Sequence, residues 1–171
     1  MNIIQRSKTQ LILLVCSLAG IGIAIYLTSV HYENVPLVCS DKGLVDCARV
    51  LSSPYSVVPG TSIPITIPGL LWAVVSAALA VFALYRRDER RWISVAQFGW
   101  ALVGMLTVLY LVYVEIVRLH TICAWCTAMH VLILLMFLVT IVQLQMQQTD
   151  FALELETEDE EPVTTTPSHS K

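Results

Sequence analysis

Residues 122–142 read ICAWCTAMHVLILLMFLVTIV, an apolar run headed by two cysteines. The run is free of Asp, Glu, Lys and Arg, and it is long enough to cross a bilayer, which takes roughly 17–25 helical residues. Three more runs, in which Glu115 is the only charged residue, cover residues 11–30, 68–85 and 93–117. Backbone groups in lipid must be hydrogen-bonded within their own segment, so each run predicts a helix. The sequence therefore predicts an all-α integral membrane protein, a bundle of four transmembrane helices.

The composition of the whole chain agrees with this class. Hydrophobic residues make up 56% of the 171 positions and charged residues 13%, and the mean hydropathy is +0.71. A soluble domain carries about a quarter charged residues, so the expected surroundings are lipid, with no nucleic-acid partner. Seven acids lie from Asp150 onward, against Lys171 alone. Such a segment cannot bury apolar surface, so residues 146–171 are predicted to be a disordered acidic tail.

The charges beside the runs predict the orientation. Arg6 and Lys8 precede the first run, and four arginines crowd the link between the second and third: Arg86, Arg87, Arg90 and Arg91. The positive-inside rule puts these segments, and hence both termini, in the cytoplasm. Loop 31–67 and link 118–121 are then external. The first run exceeds the roughly 7–15 apolar residues of a signal peptide, so it is expected to be a retained anchor.

Loop 31–67 is predicted to be an ordered cap over the outer helix ends. It is too polar to span, and it is too rich in proline for a long helix, with Pro36, Pro54, Pro59 and Pro64. Residues 44–51 suit one or two helical turns. The membrane domain then covers residues 11–145, after a short cytoplasmic segment of residues 1–10.

Two cysteine pairs share the outer side. Cys123 and Cys126 are one helical turn apart, so their sulfurs can meet. They begin the fourth run, where the helix dipole and free amides favour a thiolate, the attacking species in disulfide exchange. Cys39 and Cys47 lie in the loop. Two dithiols on one face of a membrane protein indicate an electron relay between a soluble partner and a molecule dissolved in lipid.

Other uses of these cysteines are open. The pairs form structural disulfides in a non-catalytic assembly protein, or the four residues bind zinc. Zinc sites usually combine two close pairs, whereas Cys39 and Cys47 stand eight apart, and free thiolates tend to oxidise outside the cytoplasm. The redox relay is therefore favoured. Cys16 lies in the first run, far from the others, and is predicted to be a small apolar core residue.

The pattern of these residues resembles the vitamin K epoxide reductase family, in its prokaryotic branch. It reads Cys39-x7-Cys47-Ala-Arg-Val-Leu-Ser-Ser53, then Gly69 at the start of the second run, then Cys123-Ala-Trp-Cys126. The resemblance covers roughly residues 10–142, nearly the whole membrane domain. Bacterial thiol oxidases of the DsbB type match less well, because their CxxC lies in the first external loop.

The resemblance implies a four-helix bundle around a quinone, either menaquinone or ubiquinone. Cys126 would reduce the quinone, and Cys123 would receive electrons from Cys39 or Cys47, with Ser53 near the active site. The residues assigned to quinone binding are His130, Trp125 and Gly69.

The implied enzyme is a quinone-dependent thiol-disulfide oxidoreductase of the bacterial cytoplasmic membrane that supports disulfide formation outside the cytoplasm. Many relatives carry a fused thioredoxin-like domain. Here an acidic tail follows the last run, so a separate thioredoxin-like thiol oxidase of the DsbA type is the expected partner. The vertebrate enzyme has a tyrosine at the position of His130 and an asparagine near residues 65–68, and these differences favour reduction of a quinone over that of its epoxide.

Two ionisable residues lie within the runs. His130 shares a helix face with both cysteines of the CxxC. It serves the quinone as a hydrogen-bond donor or proton source, or it is tied to a neighbouring helix. Glu115 lies three residues before Arg118 near the outer boundary, where pairing or snorkelling is the favoured interpretation.

Overall fold

The computed structural model describes residues 3–33, 37–39, 45–85 and 90–159. Within them lie five α-helices: α1 Ile3–Glu33, α2 Cys47–Leu51, α3 Thr66–Tyr85, α4 Arg90–Tyr113 and α5 Ala124–Asp159. Four stretches are long and apolar enough to span a membrane: Ser7–Glu33, Thr66–Tyr85, Trp92–Leu119 and Ala124–Thr149. Each overlaps one predicted run, so the all-α bundle of an integral membrane protein is confirmed.

The core of the bundle is small and apolar. Helix α1 packs on α3 and α5, and α4 packs on α3 and α5. The buried residues that meet at the centre include Leu13, Cys16, Trp72, Ala73, Ala80, Val108, Ile133 and Met136. Cys16 therefore belongs to the core, as predicted. Many large apolar side chains point outward, among them Leu106 and Leu138, as expected of helices whose outer faces meet lipid.

A close approach of α3 and α4 is made by two tryptophans over a glycine. Trp72 Nε1 donates to the Trp100 carbonyl at 3.0 Å, and Trp100 Nε1 donates to the Trp72 carbonyl at 3.1 Å. A Cβ on Gly104 would lie 2.6 Å from the Trp72 ring. Only glycine leaves room for the indole here.

Replacing Gly104 by Ala is therefore expected to destabilise the bundle, by about 1–3 kcal/mol for an overpacked core site. Gly99, on the same helix, is the matched control, because a Cβ there would meet nothing within 4 Å. Gly99→Ala should leave stability unchanged or raise it by up to about 1 kcal/mol through helix propensity. Thermal unfolding in mild detergent measures both. Equal midpoints for the two variants would contradict the tight packing.

A buried polar cluster joins α1, α4 and α5 at the end of the bundle away from the loop. The Gln10 side chain donates to Gln143 at 3.0 Å and exchanges hydrogen bonds with Gln97. Gln143 donates in turn to the Ser94 hydroxyl at 2.7 Å. Such side-chain bonds hold helices together in lipid, where apolar contact alone provides little drive. The hydrophobic pattern gave no indication of this cluster.

Helix α5 continues to Asp159, whereas the sequence predicted disorder from residue 146. Residues 145–159 are rich in Gln, Glu and Leu, which are good helix formers. Extending an existing helix also needs no new nucleus. The rest of the predicted tail, residues 160–171, lies outside the described residues. So do residues 86–89 of the arginine-rich link and residues 34–36 and 40–44 of the loop.

The described parts of loop 31–67 are ordered. The Asp46 side chain caps α2 by accepting from the Arg49 N–H at 2.9 Å, which realises the predicted helical turns. A 3-10 turn follows at Pro54–Ser56. Val58 N–H then donates to the Ile63 carbonyl at 2.8 Å, across a turn that contains Gly60 at φ 79°. These local bonds give the loop a defined shape at the head of the bundle.

Candidate active site

The loop is joined by its backbone to the segment that precedes the CxxC. Val45 and Ile122 form a parallel bridge, and the Asp46 N–H donates to the Ile122 carbonyl at 3.1 Å. Each residue of this bridge is followed closely by a cysteine in the chain. Cys47 follows Asp46, and Cys123 follows Ile122. The bridge thus holds one loop cysteine close to the head of α5.

A second contact holds the chain beside Cys39. Val38 N–H donates to the Tyr26 hydroxyl, and Trp125 Nε1 donates to the Val38 carbonyl, each at 2.9 Å. The rings of Tyr26 and Trp125 are also in contact, with their centroids 4.9 Å apart. Two aromatic side chains, Tyr26 from α1 and Trp125 from the CxxC, therefore hydrogen-bond the backbone of the loop at Val38.

The contribution of these two hydrogen bonds can be tested with a matched pair of conservative variants. Trp125→Phe keeps a ring beside Tyr26 but loses the N–H that binds Val38, and Tyr26→Phe loses the hydroxyl. A neutral hydrogen bond contributes about 0.5–1.5 kcal/mol, so each variant should speed the opening of the loop by up to about tenfold. Hydrogen exchange at the Asp46 N–H, whose bond to the Ile122 carbonyl holds the same loop, would measure this opening. An unchanged rate in both variants would mean that the contact does not position the loop.

The four outer cysteines occupy two chemical states. Cys39 and Cys47 form a disulfide with their Cα atoms 6.2 Å apart, and Cys123 and Cys126 are free thiols. Cys47 and Cys123 are buried, and Cys126 is half-buried. The loop disulfide removes two of the four sulfurs that zinc would require.

Cys123 sits directly before α5 and accepts hydrogen bonds from its first turn. The Cys126 N–H lies 3.3 Å from the Cys123 sulfur. The pKa of the Cys123 thiol is lowered, chiefly because the Cys126 side chain hydrogen-bonds to it; burial opposes this effect. The thiolate of Cys123 is thus stabilised where the loop approaches, which suits a residue that exchanges disulfides.

Cys126 opens on a small cavity between the loop and the bundle, with a volume of about 60 Å³. This volume is below that of most small-molecule sites, roughly 300–1,000 Å³, so a bound ring would need the loop to move away from the bundle. Its walls are largely apolar, formed by residues such as Leu27, Val50, Leu51, Pro64, Ile65, Leu111 and Val114. The polar groups are few and include Ser53, Glu115, Cys126 and His130.

The structure brings some of the predicted site residues together and leaves others apart. Ser53, Cys126 and His130 all line the cavity, and the Ser53 hydroxyl donates to the Val50 carbonyl at 2.8 Å. Gly69 and Trp125 are not among its lining residues. Gly69 lies in the first turns of α3, and Trp125 is engaged with the loop.

Glu115 is the residue whose surroundings differ most from expectation. It is 6% exposed and lies in a π-helical turn, Val114–Leu119, that follows α4. Its side chain lines the same cavity as Cys126. Arg118, the partner expected from the sequence, instead donates to the Tyr55 hydroxyl at 3.1 Å. The signal that identifies Glu115 was present in the sequence, because it is the only charged residue within the four runs.

Comparison with known proteins agrees with this site. No curated protein matches the chain. The model of the vitamin K epoxide reductase family matches residues 11–141, which hold all four spans up to the last turns of the fourth and both outer cysteine pairs. Its members are membrane thiol-disulfide oxidoreductases that use quinones and are generally paired with thioredoxin-like proteins. This chain belongs to the vitamin K epoxide reductase family.

Proposed function

We propose that the protein passes electrons from a separate thioredoxin-like thiol oxidase through Cys39 and Cys47 to Cys123 and Cys126, and then to a membrane quinone. Regenerating the disulfide of that oxidase would support disulfide formation outside the cytoplasm. One observation carries the proposal: the loop disulfide is held by backbone bonds beside Cys123, while Cys126, one turn on, faces a cavity. One pair thus lies in the loop that caps the bundle, and the other lies between this loop and the apolar cavity.

The order of exchange follows from these positions. A partner thiolate attacks the loop disulfide, and the partner's second thiol resolves the mixed disulfide, which leaves the loop as a dithiol. A loop thiolate then attacks Cys123 in its disulfide with Cys126. The second loop cysteine resolves that bond and leaves the CxxC reduced. The stabilised thiolate of Cys123 makes it the better leaving group in this last step.

We place the quinone head group in this cavity, which would have to widen from its volume of about 60 Å³ to admit the ring. Apolar side chains from α1, α4 and the loop would contact the flat ring, and His130 would face it from α5, one turn beyond Cys126. A quinone bound there supplies an acceptor for two electrons and two protons. Menaquinone and ubiquinone share this ring chemistry. Trp125 holds the loop in this scheme.

A non-catalytic assembly protein with structural disulfides is the alternative. The apolar cavity that Cys126 lines weighs against it, because a disulfide that only stabilises the fold needs no such cavity.

The experiment is quinone reduction by a protein dithiol. The purified protein in nanodiscs receives a reduced thioredoxin-like oxidase, and quinone absorbance is followed. Quinone should be consumed one for one with partner dithiol, and Cys16→Ser should behave like the wild type because Cys16 lies in the core away from the site. Oxidation of the partner without loss of quinone, or no oxidation at all, would reject the proposal.

The proposed location is the bacterial cytoplasmic membrane, with the loop and CxxC outside and both termini inside. It is supported by the basic residues before the first span and between the second and third. A reporter enzyme that is active only outside the cytoplasm, fused after Lys171, should be silent, and the same reporter inserted in the 118–121 link should be active. Activity at Lys171 would reverse the orientation.

A further inference from the structure

Glu115 lines the same cavity as Cys126, the reacting cysteine, and makes no ion pair among the described residues. Its side chain is almost completely buried, at 6% exposure. Arg118 is engaged with Tyr55. We propose that Glu115 is a catalytic carboxylate that carries the proton of the Cys126 thiol during quinone reduction. This inference rests on the proposed function and assigns a further residue to it.

The placement of Glu115 is specific. The chain leaves α-helical geometry at Val114 and forms a π-helical turn to Leu119, a feature that often marks functional sites. The turn ends at His120 in the left-handed region, φ 52°, and the backbone carbonyl of Glu115 accepts from Thr121 at 3.1 Å. The side chain of Glu115 thereby reaches α5 and the cavity. A carboxylate that only needed solvation would point to the water a turn away.

The chemistry balances with Glu115 in this role. Closing the Cys123–Cys126 disulfide releases two electrons and two protons. Glu115 takes the Cys126 proton as the S–S bond forms and delivers it to one quinone oxygen. The Cys123 proton reaches the other oxygen through water on the loop side, and both electrons go to the quinone.

The reverse half-cycle uses the same group. When a loop thiolate attacks Cys123, the S–S bond breaks, and Cys126 leaves with the electron pair. Glu115, reprotonated from water, supplies the proton that this thiolate takes up. By protonating Cys126, Glu115 prevents an unpaired thiolate from remaining in apolar surroundings, where burying its charge would cost free energy.

The redox states should differ in the protonation of Glu115. In the dithiol form the buried carboxylate shares its cavity with the Cys126 thiol, which can donate a hydrogen bond to it. That donor is lost in the disulfide form, so we expect the buried carboxylate to take up a proton. The other titratable groups that line this cavity are His31 from α1, Tyr55 from the loop, and Cys126 and His130 from α5.

Infrared difference spectroscopy of the full-length protein tests this without a quinone. Oxidised and dithiol-reduced samples are compared for wild type, Glu115→Gln and Glu115→Asp. Wild type should gain the C=O band of a protonated carboxyl on oxidation, Glu115→Gln should lack it, and Glu115→Asp should show it shifted. Glu33→Gln is the matched control, because Glu33 is an exposed carboxylate at the same end of the bundle.

Turnover provides the second measurement. Quinone reduction should fall roughly 10²-fold or more in Glu115→Gln, the usual loss for a missing acid-base group, and by less in Glu115→Asp. A wild-type spectrum without the band, or Glu115→Gln turning over like wild type, would overturn the role of Glu115. If Glu115→Gln does not fold, the band shift in Glu115→Asp decides. Failure of the wild type to reduce quinone would instead reject the proposed function, since the spectra are recorded without it.

Discussion

Quinone reduction is expected to stop in Cys123→Ser and Cys126→Ser, whatever the reductant. Both sulfurs are needed to deliver two electrons as a disulfide closes, and a serine hydroxyl cannot form that bond. The loss should be on the order of 10³-fold or more, as for other essential nucleophiles. Cys39→Ser and Cys47→Ser should block the protein partner yet spare a small membrane-permeant dithiol, which can reach the CxxC directly. The assay is quinone absorbance with each reductant in turn.

The order of the relay is tested by comparing, for each variant, the rate of quinone reduction with the protein partner and with the small dithiol. Cys16→Ser should match the wild type with both, since its sulfur is buried among Leu13, Trp72 and other core residues. If the loop variants failed equally with the protein partner and the small dithiol, the loop would be needed for quinone reduction itself. The relay order proposed here would then be wrong.

Much of this architecture is readable from the sequence because lipid imposes strict rules. A run of about 20 apolar residues can only be a helix there, so all four spans were predictable. The head of a helix favours a thiolate, so the lowered pKa of Cys123 was predictable. One or two helical turns were also expected in the loop, and a helix of five residues lies at Cys47–Leu51.

Other features depend on tertiary contacts that no local pattern encodes. Glu115 lies three residues before Arg118, one helical turn, which suggested an ion pair, but a π-helical turn breaks that periodicity, and Glu115 lines the cavity that Cys126 also lines. Nothing in the sequence indicated that the Trp125 N–H binds the loop at Val38; its contact with a quinone stays a prediction. The glutamine cluster joins residues whose separations in the chain are 87 and 133 positions. Sequence periodicity carries no information over such separations.

The backbone contacts also favour one of the two loop cysteines as the residue that attacks the CxxC. Backbone pairing at residues 45, 46 and 122 draws Cys47 toward Cys123, and both residues are almost completely buried, at 1% and 0% exposure. Cys39 follows Val38, which is bound to Trp125, and it is partly exposed. We therefore expect Cys47 to form the bond with Cys123 and Cys39 to face the protein partner.

The double variant Cys39→Ser, Cys126→Ser should trap that bond. Each transfer passes through a mixed disulfide that a neighbouring thiol resolves, and this variant lacks both resolving thiols, Cys126 on α5 and Cys39 in the loop. A Cys47–Cys123 disulfide should therefore accumulate as the main species under mild oxidation, and non-reducing peptide mapping would identify it. The matched control Cys47→Ser, Cys126→Ser retains Cys39 and Cys123 and should form its bridge more slowly. Faster bridging in this control would reverse the assignment of the loop cysteines. No bridge in either variant would mean that the loop never reaches the head of α5, although the backbone bond between Asp46 and Ile122 requires it to lie there.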